Sequence, residues 1–114
     1  MQGTEALAFT DQPVSPHLVD MTRAAVAQVF DVELEEMHTK SRYPRAALAR
    51  QIAMYLGHVV LGMTVTQIAS AFDRERSTVF HAVRHVEDLR DDADLDRTLL
   101  YLESLVRNAV GEAA

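Results

Sequence analysis

Four adjacent polar residues, Glu75, Arg76, Ser77 and Thr78, precede a segment with a regular apolar repeat. An arginine can donate two hydrogen bonds to guanine, a glutamate can accept one from cytosine, and a threonine methyl can contact thymine. The beginning of a helix also favours phosphate, because its first backbone amides have no partner within the helix. These residue types at this position can therefore read the edges of base pairs.

Two predicted helices joined by a short turn would position these four residues. The stretch TVTQIASAF, residues 64–72, opens with a capping-box pattern formed by Thr64 and Gln67. After the polar turn DRER, a longer helix is predicted up to residue 90, with Ser77 as its N-cap. This order is typical of a helix-turn-helix unit, whose second helix enters the major groove of DNA. The alternative is an ordinary helical hairpin with a polar corner.

The distribution of charge favours the first interpretation. The chain of 114 residues has a net charge of −6, which is unusual for a nucleic-acid-binding protein. Residues 38–90, however, carry eight Lys/Arg and four Asp/Glu, a net charge of +4, whereas the rest of the chain carries −10. A ligand responds to the charge within about 8–10 Å rather than to the total. The alternative is that this asymmetry is accidental.

The whole sequence predicts an all-α protein with about six helices and one domain. Residues 1–14 are polar and unpatterned, as in a flexible leader, and residues 15–110 form the predicted domain. Ser15 and Pro16 predict the start of one helix, and Pro44 predicts the start of another. Gly62 is expected to end the long helix that begins at Pro44, as a left-handed cap. The last predicted helix, residues 94–110, is acidic at its beginning.

Several classes of enzyme are excluded by residue types that the chain lacks. Its four glycines are isolated and its only lysine is Lys40, so a phosphate-binding loop for nucleotides is excluded. There is no cysteine and no G-x-S-x-G motif, so two common types of nucleophile are absent. We expect no enzymatic activity and no cofactor.

His81 and His85 lie four residues apart, a spacing that two metal ligands on one helix can have. No third ligand is evident, and we expect no metal site. Instead of a metal site, we expect that His81 packs inward while His85 faces solvent.

Nothing in the sequence indicates a membrane or secretory protein. The first residues lack a basic start and a long apolar run, and the longest apolar stretch, near IAMYLGHVVLGM, is too short to cross a bilayer. We expect a cytoplasmic protein that associates with the nucleoid.

Several separate motifs between residues 22 and 90 resemble the C-terminal DNA-binding domain of DnaA, the bacterial replication initiator. The stretch VAQVFDVELEEMHTKSR is similar to that domain's opening helix, short second helix and basic loop. RQIAMYL resembles the start of its long helix, TVTQIASAF its first helix-turn-helix element, and STVFHAVRHVEDL its recognition helix. The resemblance implies an all-α helix-turn-helix fold related to that of the Trp repressor.

The resemblance also implies a role for individual residues. Arg42, in the loop after Lys40, matches an arginine that enters the minor groove, and Arg50 matches one that approaches the DNA from the long helix. Val65 and Thr66 match positions that touch the phosphate backbone. Ser77 and Thr78 match the hydroxyl pair that reads bases, and Glu75 and Arg76 match the Asp-His pair before it.

The chain departs from the family at positions that bear on specificity. Glu75 and Arg76 are longer than the usual residues, and the turn FDRE is about one residue shorter than the family's glycine-containing turn. His58 replaces a common lysine. We therefore expect a shifted or relaxed DNA site related to the initiator's box.

Two functions follow as alternatives. The first is sequence-specific binding of double-stranded DNA at DnaA-box-like sites, without an ATPase, in a stand-alone protein that regulates replication initiation or transcription. The second is a protein-interaction module that keeps the fold but has lost DNA binding. The acidic C-terminal helix either covers the core or contacts a protein partner. No nucleotide and no membrane are expected as partners.

Overall fold

The computed structural model describes residues 14–37 and 43–113, and within these residues it contains helices and no strand. The described residues form five α-helices and one short 3-10 helix, which confirms the all-α prediction. The helices are α1 (Pro16–Val29), the 3-10 helix (Leu34–Met37), α2 (Pro44–Val59), α3 (Val65–Phe72), α4 (Arg76–Leu89) and α5 (Ala93–Ala113).

Most helix boundaries follow from local sequence signals. Pro16 and Pro44 occupy the first positions of α1 and α2, where a missing amide hydrogen costs nothing. Thr64 and Gln67 form the predicted capping box: the Gln67 amide donates to Thr64 Oγ1 over 3.1 Å, and the Thr64 amide donates to Gln67 Oε1 over 2.9 Å. Two reciprocal bonds therefore fix the beginning of α3, which has only 8 residues.

The corner between α2 and α3 differs slightly from the prediction. Gly62 adopts the expected left-handed conformation, with a φ of 70°. However, α2 already ends at Val59, and Val60 is its C-cap. The glycine therefore lies in the connection, where it turns the chain towards Thr64.

The core is built around α2, which packs against α1, α3, α4 and the 3-10 helix. Ile52 and Leu56 of α2, Ile68 of α3 and Val79 of α4 are fully buried. Because α2 contacts both helices of the helix-turn-helix unit, its side chains fix their relative orientation. The last helix, α5, packs against α1 and contributes Leu99, Leu102 and Val106 to the same core. In the part of the chain that the structure describes, no helix has the length and apolar character needed to cross a membrane.

Candidate nucleic-acid interface

A single left-handed residue makes the turn between α3 and α4. Asp73 has φ and ψ of 53°, and its amide donates to the carbonyls of Ala69 and Ser70 at the end of α3. The Arg74 amide also donates to the Ala69 carbonyl, over 2.9 Å. Aspartate tolerates this conformation better than most residues. The turn therefore closes within three residues although it contains no glycine.

The tight turn also changes where α4 begins. Glu75 is the N-cap and Arg76 the first helical residue, so the prediction of Ser77 as the N-cap is wrong. The reason is that the left-handed Asp73 reverses the chain early, and the Glu75 carbonyl already accepts the first helical bond, from Val79 over 3.2 Å. Ser77 consequently lies in the first turn of the helix, with its hydroxyl not used for capping.

The side chains at the beginning of α4 face outward. Glu75, Arg76, Ser77 and Thr78, which we name the α4 tip, are all exposed, whereas the next residue, Val79, is completely buried. None of the four makes a side-chain hydrogen bond or ion pair with another described residue. Their polar groups are therefore directed to a ligand or to solvent rather than to the fold.

The α4 tip adjoins an open depression of about 610 Å³, which Asp73, Arg74, Glu75 and Thr78 line. Arg74 is a residue that the sequence reasoning did not assign to the site. Its place in the DRER turn, directly before the α4 tip, is the signal that could have indicated it. Its side chain is partly buried, and it donates to the Asp73 carbonyl over 3.2 Å.

Arg50 reaches the same end of the molecule from α2. Its guanidinium donates to the backbone carbonyl of Glu36, in the 3-10 helix, over 3.0 Å. Burial lowers the pKa of Arg50 and the positive charge of Arg74 lowers it further, whereas the Glu36 carboxylate opposes both effects. Arg50 and Arg74 are therefore close enough to repel each other, and an anion beside them would relieve that repulsion.

Val65 and Thr66 lie at the opposite end of α3 from the turn. Thr66 is exposed, and Val65 is partly buried against the core. The capping box uses the amides of Thr64 and Gln67, so it leaves those of Val65 and Thr66 directed out of the helix. Such amides are suited to a phosphate oxygen.

Lys40 and Arg42 lie outside the described residues, which exclude 38–42. Their placement on the same face as Thr78 therefore stays a prediction. The described residues bring Arg50, Arg74, Glu75 and Thr78 together at one end of the molecule, with Arg76 and Ser77 in the same exposed helical turn.

Arg23 of α1, which the sequence reasoning did not single out, contacts the last residues of α3 and so connects α1 to the helix-turn-helix unit. Its guanidinium donates to Asp20 over 3.0 Å and to the backbone carbonyl of Ala71, and it lies 4.2 Å from the centre of the Phe72 ring. Burial lowers the pKa of Arg23, and the charge of Asp20 opposes that effect. The positive charge of Arg23 thus lies at the C-terminal end of α3, where the helix dipole is negative. The side chain also links α1 to that end of α3.

Arg90 anchors the C-terminal end of α4, opposite the α4 tip. It follows the last residue of α4 and forms ion pairs with Asp96, over 2.6 Å, and with Glu103. It also donates to the Tyr55 hydroxyl over 3.0 Å. Burial alone would lower the pKa of Arg90, but these three hydrogen bonds raise it above its ordinary value. The positive charge of Arg90 is therefore neutralised internally and does not belong to the candidate interface.

His81 and His85 are both exposed on α4, so the interpretation with His81 packed inward is wrong. The reason is the helical phase: the buried face of α4 is formed by Val79, Ala82 and Val86, which leaves position 81 outside. The two imidazole rings are parallel, with centroids 6.2 Å apart. Among the described residues, no group of three or more side chains could hold a metal ion.

Comparison with known proteins identifies the family. The model of the bacterial DnaA protein helix-turn-helix matches residues 19–86. The chromosomal replication initiator protein DnaA of Laribacter hongkongensis is 34% identical over an alignment of 119 positions, which covers 88% of this chain and 25% of that protein. The corresponding protein of Pseudothermotoga lettingae is 34% identical over 71 residues, covering 62% of this chain and 16% of that protein.

Solved structures agree with this comparison. A crystal structure of a DNA replication initiation factor superimposes with a TM-score of 0.75 at 28% identity, covering 95% of this chain and 32% of that chain. AMPPCP-bound DnaA from Aquifex aeolicus gives a TM-score of 0.72 at 27% identity, covering 96% of this chain and 33% of that chain. The chain thus spans a third or less of the length of these relatives. It belongs to the bacterial DnaA helix-turn-helix family, a family of DNA-binding domains rather than of enzymes.

Proposed function

We propose that this protein binds double-stranded DNA in a sequence-specific manner at sites related to the DnaA box. The observation that carries the proposal is the α4 tip: four adjacent polar side chains are exposed without partners among the described residues, at the beginning of the second helix of a helix-turn-helix unit. Exposed arginine, hydroxyl and carboxylate groups at that position are the groups that recognise base edges in the major groove.

In such a docking, the remaining candidate residues would contact the DNA backbone and the neighbouring groove. Amides at the beginning of α3, from Val65 and Thr66, are suited to phosphate oxygens. Arg50 and Arg74 place two positive charges beside the α4 tip. The family resemblance assigns Lys40 and Arg42 to the adjacent minor groove. Phosphate contacts would fix the position of the domain, and the α4 tip would supply specificity.

The recognised sequence should differ from the box that the family usually binds. Glu75 and Arg76 replace shorter residues, and Asp73 makes the turn without a glycine. A mismatched base pair typically costs about 1–3 kcal/mol, which is enough to change the preferred sequence. We infer a site that is related to the box but shifted or relaxed at the base pairs that face the α4 tip.

We also propose how the binding is used. Residues 15–110 act as one domain that occupies DNA without hydrolysing ATP, and it competes with an initiator for origin boxes or regulates transcription at similar sites. Two observations support this proposal: the family match lies within this domain, and the isolated glycines of the chain cannot form a phosphate-binding loop. This role would place the protein at the nucleoid.

Selection from a randomised pool of duplexes with the full chain tests the proposal. We expect a single enriched motif related to the DnaA box, and binding of the selected duplex should weaken in the Arg42→Ala variant. The affinity should fall steeply with salt, because each neutralised phosphate adds roughly −0.9 to the slope of log K against log salt concentration. Enrichment of no motif, with no mobility shift at low salt, would refute the proposal.

A protein-interaction module is the second candidate, and the outer face of α5 favours it. Leu100 and Tyr101 are 52% and 57% exposed on this helix. The sequence outside residues 38–90 carries a charge of −10, which would repel DNA phosphate near that helix. A protein that enriches no DNA sequence but retains a protein partner through Leu100 and Tyr101 would support this alternative.

A further inference from the structure

The exposed side of α4 does not end at the α4 tip. His81 lies four residues after Ser77 and three after Thr78, and His85 lies four residues after His81. Residues three and four apart in a helix share one face, so these side chains form a continuous row. The row begins with the two hydroxyls that the proposed function assigns to base reading and ends with two imidazoles.

The imidazoles are available to a ligand. Both histidines are exposed. Among the described residues, their rings lie parallel to each other, with centroids 6.2 Å apart. Neither ring forms a hydrogen bond or ion pair with the charged groups of α4 or of the elements packed against it. These groups are Arg45, Arg50 and His58 of α2, Asp73, Arg74 and Glu75 of the turn, and Arg76, Arg84, Glu87 and Asp88 of α4, and α3 carries no charged side chain.

We propose that His81 and His85 extend the DNA interface along α4, as further contacts to the duplex that the α4 tip reads. This inference rests on the proposed function. A helix rises about 1.5 Å per residue, so His81 lies about 4.5 Å and His85 about 10.5 Å beyond Thr78 along the axis. A major groove is about 12 Å wide, so His81 stays within the groove while His85 reaches its phosphate wall.

The chemistry of the pair determines what it contacts. A neutral imidazole donates one hydrogen bond, whereas an imidazolium donates two and carries a positive charge. Histidine changes between these forms near neutral pH. Either form can donate a hydrogen bond to a phosphate oxygen, and the charged form also attracts the phosphate through its charge.

Competition measurements with the full chain and the duplex recovered from the randomised pool test the inference. The variants are His81→Gln, His85→Gln and the double variant, and the matched control is His17→Gln, an exposed histidine on α1. Loss of one phosphate or base contact should weaken binding about fivefold. We expect each single variant on α4 to show this loss, the double variant a larger one, and the control no change within twofold.

Two further measurements separate a direct contact from a structural effect. Affinity of the unchanged protein should rise when the pH is lowered from 8 to 6, relative to the double variant. In NMR spectra, the Cε1 protons of His81 and His85, assigned through the single variants, should shift when the duplex is added, while that of His17 should not.

The outcomes distinguish the inference from the proposed function. If the unchanged protein binds the selected duplex but the double variant binds equally well at both pH values, the histidine inference is wrong and the proposed function stands. If the protein selects and binds no duplex, both are wrong. Equal losses in the His17 control would also contradict the inference, because the effect would then not be specific to α4.

Discussion

Arginine has two different roles in this protein, and burial separates them. Arg76 and Arg74 lie at the solvent-facing end of the helix-turn-helix unit, whereas Arg23 and Arg90 are held by carbonyl, carboxylate and hydroxyl groups inside it. A guanidinium held in this way is not available to a phosphate or a base, although the buried Nε of Arg23 itself has no hydrogen-bond partner among the described residues. Arg76 is exposed without a side-chain partner among the described residues, whereas Arg50 and Arg74 of the proposed interface also donate to backbone carbonyls.

Substitution of Arg76 should separate DNA recognition from stability. Arg76→Ala should weaken binding of the selected duplex by about 1–3 kcal/mol, because a good bidentate contact to guanine has about that value. Arg97→Ala is the matched control, since Arg97 is an exposed helical arginine on α5, paired with an exposed Asp94. Titration by fluorescence anisotropy should show no comparable loss for the control, and an equal loss in both variants would indicate a general charge effect.

At the scale of elements, two left-handed residues bracket the first helix of the helix-turn-helix unit. Gly62 precedes α3 and Asp73 follows it, with φ values of 70° and 53°. Between them, the helix has only 8 residues and depends on its capping box and on packing of Ile68 and Phe72. The two turns therefore set the directions in which the chain enters and leaves α3, while packing on α2 fixes its orientation relative to α4.

Replacement of Gly62 should show that the first turn requires a residue without a Cβ atom. Gly62→Ala should lower the free energy of unfolding by about 1 kcal/mol, because a left-handed conformation costs a residue with a Cβ about 1–2 kcal/mol. Gly111→Ala is the control: it lies within α5, and a new Cβ would meet no atom within 4 Å at either site. The control should instead gain about 0.5–1 kcal/mol, because alanine is favoured in helices. Urea denaturation measures the free energy of unfolding of both variants. A decrease of similar size in the two would exclude the left-handed conformation of residue 62 as the cause.

At the scale of the whole molecule, Arg90 joins three helices. It connects the end of α4 to Tyr55 of α2 and to Glu103 of α5, a carboxylate that is only 9% exposed. Helix α4 is thereby attached to both α2 and α5. This network also pairs Asp96 and Glu103 of α5 at the end of α4 opposite the α4 tip.

Removal of Arg90 should destabilise the protein strongly. Arg90→Leu leaves the buried Glu103 carboxylate without this partner, and breaking such a pair typically costs about 3–5 kcal/mol. Arg107→Leu is the control, because Arg107 is 3.8 Å from the same carboxylate but mostly exposed, and exposed pairs contribute about 0–1 kcal/mol. Chemical denaturation should show a much larger decrease in the free energy of unfolding for Arg90→Leu than for Arg107→Leu. The double variant Arg90→Leu/Glu103→Gln should recover part of the loss, and a failure to recover would indicate that packing, not charge, is responsible.

The features that the sequence determined by itself are local. The two prolines, the Thr64–Gln67 pair and the apolar repeats lie within one or two turns of the residues they control, so helix starts and the all-α class could be predicted from them. The same local patterns placed four polar residues at the beginning of a second helix, where the α4 tip is found.

Only the tertiary structure decided which charged and polar residues belong to the candidate interface. Arg23 binds a carbonyl 48 positions away and Arg90 a hydroxyl 35 positions away, so no nearby pattern could assign them to the core. The phase of α4 placed His81 outside, and the left-handed Asp73 moved the N-cap from Ser77 to Glu75. Local periodicity determines that a helix forms, whereas contacts between distant parts of the chain determine which of its side chains remain free to bind.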